Sequence, residues 1–87
     1  MPVYDHHQAL PRLVDALRTT GLTCWLVDDG SHAPCAQAVQ ALCAENQPWL
    51  RRLRLEHNQG KGGAVVAGLR AAHAAGFTHA VQIDADL

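Results

Sequence analysis

Thr23-Cys24-Trp25-Leu26-Val27-Asp28-Asp29-Gly30-Ser31 is the stretch on which the fold turns. Residues 23–27 are short, apolar and partly β-branched, the composition of a buried strand. The strand then runs straight into Asp28-Asp29-Gly30-Ser31, a turn-forming sequence with little reason to be buried unless it binds something. A buried strand ending in two carboxylates fixes one point of a sheet edge, and the flanking segments can be placed around it.

Upstream, Leu10, Leu13, Val14 and Leu17 recur with the spacing of an amphipathic helix, and Gly21 is placed to stop it. Downstream, Pro34 opens a second helix with Cys35, Val39, Leu42 and Cys43 on its inner face, and Asn46-Gln47-Pro48 breaks it. A second strand is expected at Leu50–Leu55, where the Leu-Arg alternation gives it one less buried face, as near a sheet edge. A glycine-rich loop, Asn58-Gln59-Gly60-Lys61-Gly62-Gly63, leads into an alanine-rich helix over residues 64–75, closed by Gly76. A third strand is expected over residues 78–83, running into Asp84-Ala85-Asp86. Met1-Pro2-Val3-Tyr4 reads as the end of a strand that lacks most of its beginning. Helix and strand alternate with short connections, so the fold class is α/β: right-handed βαβ units, a Rossmann-like parallel sheet and flanking helices. The 87 residues form a single partial domain, too few for two.

Composition narrows the function. A net charge of −1 supplies no basic field, so nucleic acid is not an expected partner. The local cluster Arg51, Arg52 and Arg54 reads as the polar side of a strand. No apolar run reaches the roughly 18 residues of a membrane span, and no signal peptide is recognisable. Cys35 and Cys43 share a helix face too far apart to bridge, which suits small core residues of a reduced, cytoplasmic protein. The histidines show no ligand spacing. Trp25 and Trp49 read as packing residues, and Gly68 as a site of close helix–sheet approach.

The polar clusters all follow expected strand ends: Tyr4-Asp5, Asp28-Asp29-Gly30-Ser31, the Gly60-Lys61-Gly62-Gly63 loop and Asp84-Ala85-Asp86. In open α/β sheets those ends share one edge, where ligands bind. Asp84 and Asp86, flanking one residue, can hold a hard cation such as Mg²⁺ or Mn²⁺ through oxygen. Such an ion completes its shell with diphosphate oxygens. Asp28 and Asp29 offer acceptors for base N–H groups or ribose hydroxyls, although either could instead cap the turn before the next helix. Lys61 offers a point charge for phosphate, and Tyr4 a face for stacking a base.

These motifs together resemble family 2 glycosyltransferases. Pro2-Val3-Tyr4-Asp5 is similar to their P-x-Y-N start, with Asp5 in place of the usual Asn. Val27-Asp28-Asp29-Gly30-Ser31 resembles their V-D-D-G-S, and Asn58 to Ala64 resembles the N-x-G-K-G-x-A run of the branch that includes polyprenyl-phosphate sugar transferases. Asp84-Ala85-Asp86 is similar to the metal-binding D-A-D. The resemblance implies the N-terminal, donor-binding half of a nucleotide-diphospho-sugar transferase domain. Tyr4 and one of Asp28 and Asp29 would contact the base. Lys61 would lie near base or diphosphate, Asp84 would face ribose or metal, and Asp86 would bind the metal. The donor would be UDP- or GDP-linked and the acceptor hydroxyl lipid-linked or on a polysaccharide, with inversion at the anomeric carbon. A cytoplasmic location is expected, at the inner membrane face in a longer parent. The family's general base lies beyond D-A-D, so the chain alone is expected to be inactive, and pairing or exchange of strands in a homodimer is expected to complete the sheet.

Two other classes compete. A phosphatase using the first Asp of Asp-x-Asp as nucleophile would place that triplet after its first strand, whereas here it follows the last. A non-catalytic nucleotide-binding module would need a phosphate fingerprint. The P-loop pattern fails, with Leu55 at its first Gly and Gly62 at its Ser/Thr, and no G-x-G-x-x-G is present.

Overall fold

The computed structural model describes residues 1–85. Its elements run β1 (Pro2–Val3), α1 (Leu10–Arg18), β2 (Cys24–Asp29), α2 (Ala33–Glu45), β3 (Leu50–Leu55) and α3 (Gly60–Ala74). The three strands form one parallel sheet in the order β1-β2-β3. Each strand is followed by a helix, which is how parallel neighbours must be joined.

Alternation along β2 distributes the core between two faces. Leu26 joins Val3, Leu10, Val14, Cys35, Val39, Cys43 and Leu50 in one cluster, so α1 and α2 cover that side. Val27 points the other way, toward α3, whose buried residues are Ala64 and Ala72. Alanine and glycine let α3 lie close to the sheet: a Cβ on Gly68 would stand 2.9 Å from Cγ2 of Val27. Burial pushes the Cys43 thiol up to about 11, in keeping with a packing role.

Main-chain pairing at β1 reaches Met1, whose carbonyl accepts from the Val27 N–H at 2.9 Å and whose ammonium donates to the Trp25 carbonyl at 2.8 Å. The β3 edge behaves as its alternation suggests, with Leu50 buried and Arg51 and Arg52 exposed. Trp25 packs edge-to-face on Phe77 with ring centroids 5.4 Å apart, and the Arg51 guanidinium sits 5.0 Å from a Trp25 ring centroid.

Three expectations need correction. β2 continues through Asp28 and Asp29, which are buried strand residues rather than members of an exposed turn. α3 begins at Gly60, so Gly60 to Gly63 form its first turn rather than a preceding loop. Glycine has low helix propensity, but the following alanine-rich run propagates the helix back through it. The third strand expected over residues 78–83 is not paired: Val81 is 84% exposed and Ile83 38%. The segment runs along an apolar groove of about 310 Å³ beside Met1, Pro2, Leu69 and Phe77. A two-residue β1 offers too short an edge to template a ladder there.

Candidate functional site

A cleft of about 390 Å³ opens at the carboxyl ends of the strands. Tyr4 and His6 reach it from the end of β1, Asp29 from β2, Asn58 from the β3–α3 connection, Gly60 and Lys61 from the first turn of α3, and Asp84 from the segment after α3. Tyr4, Asp29, Lys61 and Asp84, anticipated from four separate segments, thus meet at one place. Asp28 is not among the lining residues, and Asp86 lies outside the described residues.

The two adjacent aspartates do different jobs because neighbouring strand residues face opposite ways. Asp28 is completely buried. Its Oδ1 accepts the Ser31 N–H at 3.0 Å and its Oδ2 accepts from Nη1 of Arg54 at 2.6 Å. Arg54 also donates to the Ser31 carbonyl at 3.2 Å, so the pair ties the β2–α2 turn to β3. Asp29 is 3% exposed and borders the cleft. Its Oδ1 accepts the Gln59 N–H at 2.7 Å and its Oδ2 accepts from Nδ2 of Asn58 at 3.1 Å. Nδ2 of Asn58 also donates to the Asp29 carbonyl at 3.1 Å.

Gly30 makes this clamp sterically possible. Its φ of +73° is one that side-chain-bearing residues rarely adopt, and a Cβ there would lie 2.6 Å from the Asn58 backbone nitrogen. The β3–α3 connection therefore packs directly on the turn that follows β2.

On the β1 side, Asp5 adopts a φ of +54°. Its N–H donates to Oγ of Ser31 at 3.0 Å. The carboxylate accepts the His32 N–H at 2.7 Å through Oδ1, and Nδ1 of His32 lies 2.9 Å from Oδ2. His32 is the N-cap of α2 and has no capping side-chain bond of its own, so Asp5 satisfies that helix start from the segment after β1. The His32 backbone N–H, with its imidazole second, holds the Asp5 carboxyl below the usual carboxylate range.

At the opposite wall Nζ of Lys61 lies 2.6 Å from Oδ1 of Asp84, which also accepts from Nε2 of Gln82 at 2.7 Å. The Lys61 hydrogen bond first, then that of Gln82, lowers the Asp84 carboxyl, so it stays ionised. Lys61 sits in the first turn of α3, where the helix dipole favours an anion.

Sequence reading missed Arg54, Asn58 and Ser31 as parts of this framework. Arg54 was detectable in principle, because β2 and β3 pair in a register that sets Asp28 beside Arg54. From sequence alone its charge groups with Arg51 and Arg52 as the polar side of a strand.

The class defined by this fold and site is a Rossmann-like α/β protein with a cleft at the carboxyl ends of parallel strands, where open α/β sheets bind ligands. Within that class the chain belongs to the family described as Glycosyl transferase family 2, whose model matches residues 1–87. No curated protein and no solved structure matched the chain. The family is one of glycosyltransferases, its membership suggests nucleotide-sugar donor binding, and the family generally uses a divalent metal. No helix among the described residues is long and apolar enough to cross a membrane.

Proposed function

We propose that the cleft binds the nucleotide diphosphate of a sugar donor, as the donor-binding part of an inverting transferase acting on an acceptor hydroxyl. The observation that carries the reading is the convergence of Tyr4, Asp29, Lys61 and Asp84 from four chain segments on one cleft. Tyr4, 42% exposed, gives an aromatic face for the base. Asp29 takes the base-contact role rather than Asp28, whose oxygens are bonded to Ser31 and Arg54. Lys61 with the first turn of α3 meets the diphosphate.

Asp84 suits a hard divalent cation, Mg²⁺ or Mn²⁺: it is an ionised oxygen donor at the cleft, with its side chain 49% exposed. Its contacts with Lys61 and Gln82 both use Oδ1. Asp84 and Asp86 would hold the ion, which when bound neutralises charge on the departing diphosphate. Lys61, salt-bridged to Asp84, positions that carboxylate and adds a second positive charge to the same wall.

The test is a proton–nitrogen correlation NMR titration with UDP and GDP, each with and without Mg²⁺. Metal-dependent shifts at Tyr4, Asp29, Lys61 and residues 84–86 are expected. Dispersed spectra that respond to neither nucleotide would defeat the proposal.

A further inference from the structure

Both donor contacts made by the Asn58 amide end on Asp29, one on its carbonyl and one on its carboxylate. An asparagine amide has two hydrogens and one carbonyl oxygen. With the hydrogens committed to Asp29, what Asn58 can offer the cleft it lines is its Oδ1, an acceptor. The neighbouring Asp29 carboxylate is also an acceptor, and each of its oxygens retains a lone pair beyond its bond to Asn58 or Gln59. This corner of the cleft therefore presents two acceptors side by side, and the clamp prevents the amide from turning over to present a donor.

We propose that Asn58 sets the base preference of the cleft, its side-chain carbonyl acting with the Asp29 carboxylate to select guanine. The proposal rests on the donor-binding reading above. Guanine carries two adjacent donors, N1–H and the N2 amino group, on one edge. Uracil flanks its single N3–H with carbonyl oxygens, which would oppose the oxygens of Asp29 and Asn58. Cytosine and adenine set a ring acceptor beside their amino group. A site built from acceptors rejects such edges because its own groups are left facing lone pairs. Asn58 is the exposed member of the pair and Asp29 is 3% exposed, so discrimination at the 2-amino group falls to Asn58.

The experiment is calorimetric titration of the chain with GDP, IDP and UDP in the presence of Mg²⁺. IDP differs from GDP only in lacking the 2-amino group. GDP is expected to bind about tenfold more tightly than IDP, the worth of one hydrogen bond to a polar acceptor, and more tightly still than UDP. Asn58→Ala and Asn58→Ser should collapse the GDP-to-IDP ratio toward one. If they weaken both nucleotides alike and preserve the ratio, Asn58 only holds Asp29 and the proposal fails. Equal affinity for GDP and IDP in the unmodified chain, or tighter binding of UDP, overturns it without any variant. Absence of binding by all three would instead sink the donor-binding reading, and this proposal with it.

Discussion

Arg54 reaches across from β3 to place Nη1 2.6 Å from Oδ2 of Asp28, a carboxylate with no solvent exposure. Removing the cation would leave a buried charge with one remaining bond, from the Ser31 N–H. Breaking a buried pair costs about 3–5 kcal/mol, but the Arg54 side chain is 36% exposed, so Arg54→Ala is expected to destabilise by about 2–3 kcal/mol. Combining it with Asp28→Asn, which keeps an acceptor for Ser31 and removes the charge, should cost less than the sum of the single changes. Urea melts of the four proteins measure this coupling. Strict additivity would mean that the two side chains act independently.

Gly30 and Gly21 share nearly the same backbone angle, φ +73° and +74°, but differ in surroundings. Nothing lies within 4 Å of a Cβ built on Gly21, whereas one on Gly30 meets the Asn58 nitrogen at 2.6 Å. Gly21→Ala should therefore cost about 1 kcal/mol, the left-handed penalty alone. Gly30→Ala adds a backbone clash, and about 3 kcal/mol is expected. Equal losses in thermal melts would show that Asn58 moves aside freely.

The strand ends and the turn at Gly30 show what is and is not visible in the sequence. α1, α2 and β3 are legible because apolar spacing reports directly on burial: Leu10, Val14, Cys35, Val39 and Leu50 all lie in the core. The cleft was legible because strand ends in a parallel sheet share one edge. The division of labour between Asp28 and Asp29 was not, since it depends on which way each points and on Arg54, 26 residues away. Asn58 likewise became part of the site only through Gly30, whose missing side chain lets β3–α3 approach. Residues 78–83 carry a strand-like pattern, but pairing is a property of the neighbour as well as of the segment.

Asp5 gives a pH dependence with a defined sign. Its folded-state carboxyl is depressed, chiefly by the His32 backbone N–H, from an ordinary value of 3.8. A depressed carboxyl contributes stability that is present above 3.8 and is lost as pH falls through the lower folded value. Carboxyl-carbon NMR should accordingly give an Asp5 midpoint below 3.8. His32→Ala keeps the principal donor and should raise the midpoint only partly. His32→Pro removes that N–H at a φ of −74°, which proline tolerates, and should raise it further. A larger rise with alanine than with proline would reverse the assigned order of causes.

Lys61 should matter to the diphosphate rather than to the base. On the donor-binding reading, Lys61→Met is expected to weaken GDP or UDP about tenfold, the scale of one charge-assisted contact, while leaving the corresponding nucleoside unchanged. Lys61→Arg keeps the charge and should retain part of the affinity. Calorimetry on nucleoside and nucleoside diphosphate separates the two effects. Equal losses for both ligands would place the role of Lys61 in shaping the wall it forms with Asp84.

Gly68 tests how closely α3 must lie on the sheet that carries the site. Alanine is the better helix former by about 1 kcal/mol, so an unconstrained exchange would stabilise the chain. Here the new Cβ would come within 2.9 Å of Cγ2 of Val27, a β-branched residue fixed in the buried centre of β2. Overpacking costs about 1–3 kcal/mol, so Gly68→Ala should be destabilising on balance. Val27→Ala removes the opposing methyls and leaves a void, which costs stability alone. In the double variant the added methyl occupies part of that void, and stability should exceed the sum of the single losses. Because α3 carries Gly60 and Lys61 into the cleft, Gly68→Ala should also displace their amide signals in NMR spectra, and Val27→Ala should restore them. Additive melts with unmoved amides would mean that helix and sheet yield to the extra carbon, and that close contact at Gly68 does not set the cleft.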